Sequence, residues 1–158
     1  MASSVLSGGL LLWRRAGNGG VELLIAHMGG PFWARKDERA WSLPKGECEP
    51  DEVPLDAARR EWTEELGLVA PDGEAVDLGE VRQKSGKRVR AWAVEGDLDP
   101  ASIVPGTFET EWPPRSGRTQ AFPEVDRVAW VDPDTARVKL VAAQADFVDR
   151  LVAAVGGG

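Results

Sequence analysis

Apolar residues come in short runs broken by glycine and proline over most of the chain, and take a helical period in two places. Ser4–Arg14 carries Val5, Leu6 and Leu10–Trp13 and reads as a buried strand. Val21–Met28 is apolar again, and the turn cluster Ala16-Gly17-Asn18-Gly19-Gly20 between them predicts an antiparallel hairpin. After Gly29-Gly30-Pro31, the charged stretch Phe32–Arg39 reads as a surface loop, and Ala40–Leu43 as a short apolar segment ending at Pro44. Val76–Gln83 and Val89–Glu95 predict two strands around a turn at Ser85-Gly86-Lys87, and Val125–Val131 predicts a later one. Asp97–Gly106 and Glu111–Pro123 read as loops.

The clearest helix is Pro54–Leu66, with Pro54 suited to its first position and Gly67 to the residue past its end. Leu55, Ala58, Trp62, Leu66 and Val69 share one face and predict its core side. Pro133–Lys139 predicts a short helix. Val141–Val155 predicts an amphipathic one, with Val141, Ala145, Val148, Leu151, Val152 and Val155 facing inward, before a frayed tail at Gly156–Gly158. Strands mixed with helices predict an α+β sandwich, and 158 residues predict a single domain over the whole chain.

Composition narrows the chemistry. The net charge of −7 argues against a protein that grips a nucleic-acid backbone. It leaves room for a nucleotide pocket, where a bound cation reverses the local sign. A single cysteine, Cys48, excludes a disulfide framework and a cysteine zinc site; a single histidine, His27, excludes a multi-histidine centre and reads as a packed or pocket-edge residue. The apolar stretch Gly8–Trp13 is far short of the about 20 residues that span a membrane. Arg14-Arg15 follow it rather than precede it, unlike a secretion signal, so a soluble cytoplasmic protein is expected.

Glu61, Glu64 and Glu65 fall at i, i+3 and i+4 on the predicted helix, which puts three carboxylates on neighbouring positions. Three glutamates alone describe a solvated helix face. Drawn together they repel unless a hard divalent cation, Mg²⁺ or Mn²⁺, lies among them. Arg60 is placed to orient a carboxylate through its fork, and Pro44-Lys45-Gly46 predicts a tight turn near the helix start. The larger pattern is Gly46, five residues, Glu52, seven residues, Arg60-Glu61, apolar Trp62, one residue, Glu64-Glu65, one residue, Gly67, apolar Leu68. It resembles the Nudix box of the Nudix hydrolases at all nine specified positions, a match expected by chance about once in ten million such chains.

The resemblance implies an α/β/α sandwich with a mixed sheet. It also implies metal-dependent hydrolysis of a diphosphate linkage by water, with a small nucleotide as partner; the acidic charge and the short apolar runs lead to the expectation of neither nucleic acid nor membrane. On this chain it implies Glu61 and Glu65 as principal metal ligands, Glu64 in direct or water-mediated support, and Glu52 beside them. Arg60 would hold the carboxylates, and the Lys45 carbonyl would be a backbone ligand. A further glutamate outside the box is expected in the loop before a late strand, six residues ahead of a tryptophan. Glu124 and Trp130 fit, which nominates Glu124 as extra ligand or general base, with Glu109 and Glu111 as competitors.

Leu43-Pro44-Lys45-Gly46 resembles the variant in dinucleoside polyphosphate hydrolases, where the Lys45 cation suits a long phosphate chain. The usual nucleotide-contacting tyrosine is missing, since the chain has none. Trp33 and Trp112, in predicted loops, become the substrate-binding candidates. ADP-ribose, a nucleotide sugar or an oxidised nucleoside triphosphate is the alternative substrate, and a nucleotide-sensing module the alternative without turnover. Monomer and homodimer both stay open.

Overall fold

Leu10, Leu11 and Leu12 are consecutive and all buried, which for an extended segment means cover on both faces. They form the middle of β1 (Leu6–Arg15), the central strand of a mixed sheet in a computed structural model that describes residues 5–156. Along one edge β1 runs parallel to β6 (Arg88–Glu95), with Leu10 opposite Trp92. β5 (Val76–Arg82) lies antiparallel outside β6.

The other edge of β1 is shared. β2 (Val21–Met28) pairs with its far end, Trp13 opposite Leu23, and confirms the hairpin. The two strands then diverge. β4 (Lys45–Glu47) takes the free end of β1, with Gly9 opposite Lys45, and β3 (Trp41–Ser42) pairs with Ala26 and His27 of β2. β9 (Val125–Val131) covers the outer edge of β2.

Side-chain alternation sends Leu10, Leu12, Leu24 and Ala26 to one face and Leu11, Leu23 and Ile25 to the other. The first face packs on α1 (Pro54–Leu66) through Ala58, Trp62 and Leu66. The second packs beneath α2 (Pro133–Lys139) and α3 (Ala145–Val155) through Ala136, Phe147, Val148 and Leu151. Trp62 is fully buried, and truncating it to alanine would cost about 3–5 kcal/mol. The result is the expected helix–sheet–helix sandwich. Among the described residues no helix is long and apolar enough to cross a membrane.

Several expectations need correction. Val69 is 91% exposed, because Gly67 turns left-handed (φ 68°) and donates to the Thr63 carbonyl, ending the helix before Val69 can continue its face. The stretch from Glu111 to Pro123 is no simple loop. β7 (Thr107–Glu111) and β8 (Thr119–Pro123) form a hairpin of their own, apart from the main sheet. Pro44-Lys45-Gly46 is not a tight turn, since Lys45 and Gly46 are already in β4.

The last helix does not start at Val141. Val141 donates to the Trp41 carbonyl, a 3₁₀ turn follows over Ala142–Gln144, and α3 begins at Ala145. Buried Gln144 holds that turn, accepting from Leu43 N–H at 3.0 Å and donating to Ser42 Oγ at 3.0 Å. Gly156 is the left-handed cap of α3; Ser4, Gly157 and Gly158 lie outside the described residues.

Candidate active site

The second half of α1 turns Glu61 and Glu65 toward β4, while Glu64 stays more exposed beside Arg60. Gly46 is what lets them close in: a Cβ there would overlap the Glu61 carboxylate. Arg60 ties the acidic groups together. Its Nε and Nη2 clamp Glu52 at 3.0 and 2.9 Å, Nη1 donates to Glu61 at 2.8 Å and reaches Glu64 at 3.3 Å, and Nη2 also donates to the Glu47 carbonyl at 3.1 Å. Glu52 further accepts from the Glu49 N–H. Both oxygens of Glu52 are thus engaged, and the arginine fork pulls its carboxyl down to about 2.

The neighbouring carboxylates behave oppositely. Burial pushes Glu65 up to about 8, and the charges of Glu124 and Glu61 add to the rise. The Lys45 ammonium and a 3.3 Å bond from the Lys45 N–H oppose it without cancelling it. Glu61 is raised by burial and by Glu64, against the pull of Arg60. Glu124 is raised by burial, then by Glu61 and Glu64. These groups also sit in or beside the last turns of α1, where the helix dipole is negative and disfavours further negative charge.

Glu124 arrives from the opposite side, between β8 and β9. Its N–H donates to the Gly106 carbonyl at 2.8 Å and its carbonyl accepts from Gly29 N–H at 3.0 Å; Gly106 N–H donates in turn to the Glu64 carbonyl. The end of β2, the end of α1 and the start of β9 are therefore stitched together around the carboxylates. Glu61, Glu65 and Glu124 line an open cavity of about 520 Å³ with Met28, Trp33 and Phe108. An inner recess of about 200 Å³ joins Glu65 and Glu124 to Lys45. A cavity of about 550 Å³ beside the β1–β2 turn has two carboxylates on its lining, but Glu22 is paired with Arg14 and Asp132 caps α2, so size does not choose the site.

The donor set fits a hard divalent cation. Its oxygens are carboxylates, the three that line the cavity are raised by burial and by neighbouring carboxylates, and an added positive charge would relieve them. As they stand they surround the cavity rather than meet: among the described residues no three His, Cys, Asp or Glu side chains are gathered into a ready metal centre. Glu61 is held by Arg60 and Glu65 by the Lys45 amide.

The remaining candidates separate clearly. Trp33 lines the cavity, half-buried. Trp112 does not; it packs edge-on against exposed Phe32, ring centroids 5.6 Å apart. The Lys45 side chain lines the recess rather than the open cavity. Glu111 is occupied in capping the hairpin turn through Arg115 N–H and Gly117 N–H, at 3.1 and 3.0 Å, and Glu109 is exposed on β7. Phe108 went unforeseen. Neither Thr107–Glu111 nor Thr119–Pro123 alternates apolar with polar residues, and the available signal was the turn pair Ser116-Gly117 between two segments that each carry a phenylalanine.

Comparison with known proteins agrees with the fold and the spacing. A family model described as the NUDIX domain matches residues 7–151. The RNA pyrophosphohydrolase of Pseudomonas putida (strain F1) is 43% identical over 53 residues, which spans 33% of this chain and 33% of that protein's length. Two solved structures are similar over nearly the whole chain. One is a Caenorhabditis elegans Ap4A hydrolase binary complex, with TM-score 0.65, 19% identity, and coverage of 96% of this chain and 99% of that one. The other is the NUDIX domain of Shewanella oneidensis NrtR complexed with ADP ribose, with TM-score 0.64, 13% identity, and coverage of 98% and 90%.

Proposed function

The chain belongs to the NUDIX-domain family, and from that premise we propose that it is a Mg²⁺- or Mn²⁺-dependent pyrophosphohydrolase acting on a nucleoside polyphosphate, dinucleoside polyphosphates first. The observation that carries the reading is the convergence of Glu61, Glu65 and Glu124 on one open cavity that also exposes aromatic surface at Trp33 and Phe108. Carboxylates alone would make an ion site; carboxylates beside an aromatic wall suit a phosphate chain that ends in a base.

Glu61 and Glu65 would hold the metal, with Glu64 in support. A divalent cation supplies charge neutralisation for the diphosphate and a more acidic water. Arg60 keeps Glu61 and Glu64 oriented, and Glu52 keeps Arg60 in place. Glu124, raised by burial and by the charges of Glu61 and Glu64, is suited to take a proton from the attacking water. Trp33 offers a face for the base, worth about 1–3 kcal/mol. Lys45, set behind Glu65, acts as a partial counter-charge to that carboxylate rather than as a grip on the phosphate chain.

A second reading is hydrolysis at the triphosphorylated 5′ end of an RNA, favoured by the local identity to RNA pyrophosphohydrolases. The net charge of −7 opposes a long nucleic-acid contact. The test is a product-resolved panel with Mg²⁺ and with Mn²⁺, covering diadenosine tetra- and hexaphosphate, ADP-ribose, nucleoside triphosphates, 8-oxo-dGTP and a 5′-triphosphorylated oligonucleotide, with Glu65→Gln as control. Best turnover of the dinucleotides, lost in the control, is the expected result. Preference for the oligonucleotide would establish the second reading. Tight nucleotide binding with no turnover of any member would make the chain a sensor.

A further inference from the structure

His27 is the only histidine, fully buried on β2, and the proposed chemistry does not use it. Its ring meets Trp41 edge-on, centroids 5.1 Å apart. Nδ1 lies 2.8 and 3.0 Å from the two oxygens of Asp126, and Nε2 lies 2.6 Å from the carbonyl oxygen of Lys36. Both partners are acceptors. The ring thus spans the gap between β9 and the Lys36 segment, with one nitrogen against each acceptor. Asp126 is itself held by Arg127, which reaches it at 3.2 Å.

The Lys36 end of this bridge leads to the site. Lys36 N–H donates to the Trp33 carbonyl at 2.9 Å, Trp33 N–H donates to the Gly30 carbonyl at 3.3 Å, and the Lys36 ammonium lies 5.2 Å from the Trp33 ring centre. Trp33 in turn lines the carboxylate cavity. The far end of the same segment has its own anchors, since Asp37 accepts from Trp41 Nε1 and from Lys139. The turn that bears Trp33 is fixed to β2 through Lys36. The 2.6 Å contact from His27 Nε2 gives the Lys36 carbonyl a fixed direction.

We propose that His27, bridging Asp126 and the Lys36 carbonyl, is a positioning residue that fixes Trp33 at the mouth of the cavity and so sets affinity for the aromatic part of the substrate. This rests on the cavity being the substrate site.

The first arm of the test needs no substrate. Amide exchange at residues 33–36 should rise about tenfold in Asp126→Asn and in His27→Gln, while the β2–β9 amides stay protected. Asp126 is partly exposed, so its variant keeps the test decisive if His27→Gln fails to fold. Unchanged exchange at 33–36 in a folded variant overturns the proposal. The second arm uses whichever panel nucleotide is turned over. KM should rise about tenfold with kcat nearly intact, Trp33→Ala should match it, and His27→Gln should add nothing in the Trp33→Ala background. A loss confined to kcat, or effects that multiply in the double variant, also overturns it. An inactive parent would sink the functional reading alone, because the exchange arm still decides the clamp.

Discussion

Glu65 has the most informative environment of any single residue. Burial pushes its carboxyl up to about 8, against an ordinary value near 4.3. A raised carboxyl stabilises the fold only while protonated. Below the ordinary value both states hold the proton. As pH rises toward 8 the unfolded chain releases it first, and that stability is lost. Glu65→Gln removes the loss. Melting in EDTA should therefore show the variant gaining on the parent from pH 4.5 to 8, with the gain erased when saturating Mg²⁺ stabilises the parent. Equal midpoints at pH 8 in EDTA would mean that Glu65 carries no such strain. The same substitution should lower kcat at least about 100-fold. Arg60→Lys keeps the charge but not the fork that spans Glu52, Glu61 and Glu64, and should cost about 10–100-fold in activity or metal affinity. Activity within twofold of the parent would remove Arg60 from the site.

At the scale of elements, the site depends on how closely α1 approaches β4. A helix alone places Glu61, Glu64 and Glu65 on neighbouring positions; the nearby strand shields part of them from water, and Gly46 is the point of contact. Gly46→Ala puts a methyl where the Glu61 carboxylate lies. Activity should fall about 100-fold while the circular-dichroism spectrum keeps its helix signal. Parent-like activity would show that Glu61 works from another position. The register of α1 was legible because a helix imposes its own period. β4 was not, because a three-residue strand has no period of its own and exists only through its pairing with Ser7–Gly9.

At the scale of the molecule, the β7–β8 hairpin stands apart from the seven-stranded sheet and buries little of itself. It returns to the body through Phe108 at the cavity and through Trp112 on Phe32. Replacing residues 109–121 by Asn-Gly keeps Phe108 and Phe122 and removes Trp112. The melting midpoint should move by less than about 3 °C. KM for a dinucleoside polyphosphate should rise more than KM for a nucleoside triphosphate. A large drop in melting temperature, with equal effects on both substrates, would make the hairpin part of the fold rather than of the site.

Local periodicity and spacing determined α1, the long strands and the cluster Arg60, Glu61, Glu64 and Glu65, because each depends on residues within a turn or a pleat of one another, and the family through a fixed spacing from Gly46 to Leu68. Tertiary structure decided the rest. Glu124 faces the same cavity as Glu65 although 59 positions separate them, because Gly29 and Gly106 bind its backbone. Trp33 enters the cavity while Trp112 stays outside it, although the sequence offers both as loop tryptophans. Lys45, a free cation on paper, lies behind Glu65. The two acceptors around His27 come from segments 9 and 99 positions away. Charge state and burial depend on neighbours in space, and spacing along the chain carries no record of contacts that only packing brings about.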